Sequence, residues 1–130
     1  MISLKERIDL AKKTTKPTNC IGTALFLVGE LDKDSLVNPG RIKKLNGLKR
    51  LVKPEKGCLI AWELRKRVAM HLGVIVRVRP IRVTHREGSF YHDNKHKNYP
   101  VTEKDSKTNL DRDYNMLTVG YYRPRNKVVV

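Results

Sequence analysis

The chain has 130 residues, 39% hydrophobic and 32% charged, with a formal net charge of +15. That length suits one domain whose core needs no staples, and two cysteines do not make a disulfide framework. No run approaches the ~20 apolar residues of a membrane span, and the charged stretch Met1–Lys16 lacks the apolar centre of a signal peptide, so the expectation is a soluble, cytoplasmic protein unless another route carries it out of the cell.

Ser3 followed three residues on by Glu6 has the spacing of a capping box, and Leu4, Ile8 and Leu10-Ala11 then share one side of a short helix ending near Lys13. Thr14 to Asn19 contains Pro17 and reads as a break. Cys20 to Val28 is apolar nearly all round. With Thr18 or Asn19 as N-cap and Gly29-Glu30 as the end, it predicts a buried helix with Cys20 in its first turn.

Asp32 to Gly57 is polar, basic and turn-rich, with a short helix expected within Arg41–Val52. Gly57 opens a strand, Cys58 to Trp62, and Arg65-Lys66-Arg67 reads as a loop. Met70 to Val78 is the strongest strand signal, and Ile81 to Arg86 is another, with Arg79-Pro80 between them. Residues 87–115 read as a polar insertion that folds over a site or stays mobile. Met116 to Tyr122 is a last strand, before a tail. Helix, buried helix, then four strands is an α+β order: one domain, 1–130, with N-terminal helices on an antiparallel sheet.

Chemistry concentrates at three positions. A cysteine is a nucleophile as thiolate, and a helix N-terminus favours that form through its dipole and free N–H groups. Cys20 is placed for this, and the same N–H groups would serve an oxyanion. A hairpin pairing Ile75 with Ile81, Gly73 with Val83 and His71 with His85 sets both histidines on one apolar face able to accept a helix. One imidazole would take the thiol proton and the other would orient it. Gly73 would leave room beside His71. The bland alternative is two half-buried histidines bonded to backbone.

Other features are weaker. His92 and His96 have a spacing that suits a metal on a helix, but their surroundings are loop-like and lysine-rich, so no metal or cofactor is assigned. Cys58, in an apolar strand, reads as core. The basic residues point to an anionic partner: nucleic acid, an acidic wall polymer or an anionic membrane surface. No phosphate-cradling glycine motif and no aromatic-basic RNA-binding motif accompanies them.

These segments resemble the NlpC/P60-type papain-like peptidases. Asn19-Cys20-Ile21-Gly22-Thr23-Ala24 is similar to their "DCSGF/A" helix start. Pro54 to Trp62 is similar to the "P-x-x-GDLV-aromatic" strand. Met70 to Val76 is similar to the "HVGIYI" strand, and Ile81 to His85 to the strand with the third polar residue. The likeness spans Thr18 to Arg86 in the order of the non-permuted members. Asn19, Ile21 and Cys58 stand where the family usually has Asp, Ser and Asp.

The resemblance implies a papain-like fold of the NlpC/P60 type. It also implies a Cys20-His71-His85 site that attacks an amide and passes through an acyl-enzyme. The implied substrate is a peptide or other amide, peptidoglycan-derived or part of another anionic polymer, with acyl transfer as a variant outcome. Against this stands a basic module that binds nucleic acid or an anionic polymer through an inactive papain-like core.

Overall fold

The computed structural model describes residues 1–88 and 97–130. Strand β1 (Ile2–Ser3) runs into helix α1 (Leu4–Lys12), followed by α2 (Cys20–Leu27), β2 (Gly40–Arg41), α3 (Lys43–Asn46) and β3 (Lys49–Leu51). Then come β4 (Leu59–Arg65), β5 (Val68–Val78), β6 (Ile81–Arg86), β7 (Val101–Ser106), α4 (Lys107–Asp113), β8 (Thr118–Arg123) and β9 (Val128–Val129).

Local chemistry sets the two N-terminal helices. Ser3 Oγ accepts from the Glu6 amide at the start of α1, which buries Leu4, Ile8 and Ala11. Asn19 caps α2: its Oδ1 accepts from the Gly22 amide at 2.9 Å, and every residue from Cys20 to Leu27 is buried. Gly22 is required there, because a Cβ at this position would lie 1.5 Å from the Ser35 carbonyl oxygen.

The main sheet has strand order β3-β8-β4-β5-β6-β7, with β2 paired to the start of β5, and all its pairings are antiparallel. β1 and β9 form a separate parallel pair. The class is therefore α+β. No helix among the described residues is long and apolar enough to cross a membrane.

Side chains alternate across the sheet and build two cores. On one face Leu59, Ala61, Ala69, Leu72, Val74 and Tyr122 pack with α1 and α2. On the other Ile60, Trp62, Ile75 and Val83 pack with Leu110 of α4 and with Tyr114.

Three expectations need correction. The β5–β6 hairpin does not pair His71 with His85. It pairs Ile75 with Val83 and Val74 with Thr84, and a bulge near Val76 absorbs a residue before Arg77↔Arg82 and Val78↔Ile81. The slip at the histidine end is by two positions, so the face of each side chain is kept.

The helix on the face of Ile75 and Val83 is α4; α2 lies on the other face. Nor does Gly73 leave room. A Cβ there would meet Val83 Cγ1 at 2.4 Å.

Within the stretch 87–115, the described residues supply β7 and α4. Periodicity missed β7 because its sequence, Val-Thr-Glu-Lys-Asp-Ser, has one apolar residue and no alternation.

Candidate active site

Cys20 is fully buried at the start of α2. On the edge of β5 away from β4, β2 pairs at Val68 and Ala69, and β6 takes over from Val74. In the interval between them the Cys20 thiol donates to the Met70 carbonyl at 4.0 Å, one residue before His71. The Cys20 N–H donates to the Gly88 carbonyl at 3.2 Å. That amide, expected as an oxyanion donor, is thus occupied by the chain leaving β6.

A buried ionic cluster ties this end of α2 to β6. Arg86 donates from Nε to Thr23 Oγ1 at 2.7 Å and from Nη2 to Asp34 at 2.9 Å, and Thr23 in turn donates to Asp34 at 2.7 Å. Arg86 also reaches the Ala11 and Tyr99 carbonyls. A buried charge is tolerable only when paired and fully hydrogen-bonded, and this one is. The cluster joins the helix of Cys20 to the strand of His85.

His71 and His85 come together. Their rings meet edge to face, with His71 Nε2 3.0 Å from His85 Nδ1. Two further groups extend the chain at either end. His85 Nε2 lies 3.0 Å from Asp105 Oδ2, and the Tyr114 hydroxyl lies 3.0 Å from His71 Nδ1. Tyr114 stacks on His71 with ring centroids 4.5 Å apart, and Trp62 packs on both. Trp62 Nε1 donates to Asp111 at 3.0 Å, which fastens α4 to the sheet.

The direction of the chain follows from its acidic end. Burial raises the Asp105 carboxyl, but hydrogen bonds from His85, Asn109 and the Ser106 amide outweigh it and hold the group below its ordinary range. An ionised carboxylate only accepts, so His85 Nε2–H donates to Asp105. In the tautomer that carries its hydrogen on Nε2, His85 accepts at Nδ1, and His71 donates from Nε2. His71 Nδ1 keeps its lone pair and accepts from the Tyr114 hydroxyl. Every donor is matched, as buried polar groups require.

Burial, with the adjacent His85, pushes His71 from 6.5 down to about 3, against a small opposing pull from Asp105. The imidazole is therefore neutral, with its basic nitrogen on the Tyr114 side. Burial pushes the Tyr114 hydroxyl up to about 12, and the nearby Cys20 is the largest charge effect on it. Tyr114 thus stands in hydrogen-bond contact with the base.

Cys58 is buried, and burial raises its thiol to about 11, the environment of an inert core cysteine. His92 and His96 lie outside the described residues. Among those described, no group of three or more metal-ligating side chains converges.

Asp105 and Tyr114 were not legible as site residues. The Ser106-to-Asn109 cap, in which Ser106 Oγ accepts from the Asn109 amide at 3.0 Å, was the available signal for α4. Leu110 and Tyr114, one turn apart, marked its buried side.

Comparison with protein-family models, with curated proteins and with solved structures returned no match.

Proposed function

We propose that the protein is a thiol hydrolase of the NlpC/P60 papain-like kind, cleaving a peptide or isopeptide amide through Cys20, His71 and His85. One observation carries this reading. A directed hydrogen-bond chain, Asp105–His85–His71, turns the lone pair of His71 Nδ1 toward Tyr114, and the thiol of Cys20, at a helix N-terminus, bonds to the carbonyl of Met70, the residue before His71.

His71 Nδ1 takes the Sγ proton, and the thiolate forms a C–S bond to the amide carbon. The carbonyl π electrons move to oxygen, then return as the C–N bond breaks, and His71 gives its proton to the departing amine. Water attacks the acyl-enzyme, losing a proton to His71. The C–S bond breaks and the thiol recovers that proton. His85 and Asp105 hold the His71 tautomer and face the positive charge that develops on it. Before the first step Tyr114 must yield Nδ1, and Gly88 must yield the Cys20 amide if that amide is to bind the oxyanion.

Those two contacts, with a fully buried thiol, favour a second reading: an inactive core of the same shape that serves as a binding module. Mass spectrometry of the protein after mixing with p-nitrophenyl acetate separates the two. The hydrolase acetylates Cys20 transiently, and His71→Ala slows this step. Absence of a Cys20 adduct, or an equal rate in His71→Ala, overturns the enzymatic reading.

A further inference from the structure

Far along β5 from His71, at roughly 20 Å for ~3.3 Å per residue, the sheet carries an open depression of about 510 Å³. Its lining is Lys56, Val76, Arg77, Arg82 and Lys104. Four of these five side chains are cationic, and they come from β5, β6, β7 and the turn before β4.

Arg77 and Arg82 are directly opposed across the β5–β6 ladder. Like charges in that position destabilise a sheet. Lys104 lies in the bulge between the pairs Val83↔Asp105 and His85↔Thr102 and has φ of 58°. A positive φ is uncommon for a lysine, and bulges re-aim side chains.

None of the four cations forms an ion pair with a carboxylate among the described residues. The acids on either side of Lys104 are already engaged, Glu103 by Lys12 and Asp105 by His85, Asn109 and the Ser106 amide. Local repulsion has therefore been gathered around one cavity without a counter-ion among the described residues.

We infer that this depression binds a multiply charged oxyanion of the phosphoryl or pyrophosphoryl class. Two guanidinium forks and two ammonium groups match an anion with several charged oxygens better than a single carboxylate. The site stands independently of whether Cys20 is catalytic.

Calorimetric titration of the full chain with pyrophosphate in 0.15 M NaCl tests it. At that salt the Debye length is about 8 Å, so diffuse attraction by the net charge is largely screened. The expected result is saturable binding that Arg77→Ala/Arg82→Ala weakens at least tenfold. Lys43→Ala/Lys44→Ala removes the same charge from α3 and is expected to weaken it less than twofold. Lys104→Glu, which spares the sheet's arginines, is expected to match the arginine variant, with circular dichroism confirming that each is folded.

Displacement of pyrophosphate by a short oligothymidylate supports the site with nucleic acid as the source. Failure to displace supports it with a small phosphate compound as the source. No saturable binding to the wild-type chain, or equal weakening by the α3 variant, overturns the proposal.

Discussion

His71 Nε2 and His85 Nδ1 lie 3.0 Å apart although the two residues are not cross-strand partners. The hairpin sets them diagonally, near enough for imidazole rings to span the offset. Because Asp105 accepts from the outer nitrogen of His85, the pair has one direction, and the base nitrogen of His71 is left pointing at Tyr114.

That polarity orders the effects of substitution on amide hydrolysis. His71→Ala is expected to lower kcat/KM by about 10²–10⁴, the range of a lost general base. His85→Gln and Asp105→Asn keep hydrogen-bonding groups in place and are expected to cost less, roughly 10–100-fold for ~1.5–3 kcal/mol of a charge-assisted bond. Steady-state kinetics of the three variants checks the order; a larger loss for Asp105→Asn than for His71→Ala reverses the roles assigned here.

Tyr114→Phe removes the hydroxyl that competes for His71 Nδ1 and keeps the stacked ring. One neutral hydrogen bond of ~1 kcal/mol corresponds to roughly fivefold. Alkylation of Cys20 by iodoacetamide is expected to accelerate by about that factor. A slower reaction would mean that the hydroxyl passes the proton and does not block the base.

The two cysteines should differ in the folded protein. Cys58 has a thiol held at about 11 by burial. Cys20 has the start of α2 beneath it and is expected to take iodoacetamide much faster at pH 8. Peptide mapping of the alkylated chain measures both rates, and equal rates would remove Cys20 as the nucleophile.

His71 also links stability to pH. Its folded value, about 3, lies below the ordinary 6.5, so the unfolded chain binds a proton that the folded chain declines. This contribution is whole above pH 6.5 and is lost as pH falls toward 3, at about 1.4 kcal/mol per pH unit. Urea unfolding between pH 7.5 and pH 5 is expected to show the loss, and His71→Asn to flatten it. A midpoint that is independent of pH in the wild type would contradict the buried neutral imidazole.

Gly22→Ala is expected to destabilise the fold by about 3 kcal/mol or more, beyond ordinary overpacking, because the obstacle is the Ser35 backbone carbonyl and cannot rotate away. Thermal unfolding of this variant beside wild type measures the change.

Local chemistry was legible in the sequence. Asn19 caps α2 by a contact three residues long, and the apolar run after it has no polar side to expose, so the helix with Cys20 at its start follows from neighbours alone. Strand character at Val74–Val78 and Ile81–Arg86 likewise follows from side-chain type. The two-residue alternation of β5 and β6 placed His71 and His85 on one face, and a slip by two positions preserves that result.

Register, partners and faces were decided only by the tertiary structure. The bulge near Val76 is a property of two strands together and has no signature in either. β7 carries one apolar residue, Val101, and is held by its ladder to β6, so its own pattern does not announce a strand. Asp105 and Tyr114 reach the histidines only because α4 closes over the face of Trp62 and Ile75, a choice made by which hydrophobic surface remained uncovered once α1 and α2 had taken the other. Periodicity tells a side chain which side of its strand to occupy; only packing decides what meets it there.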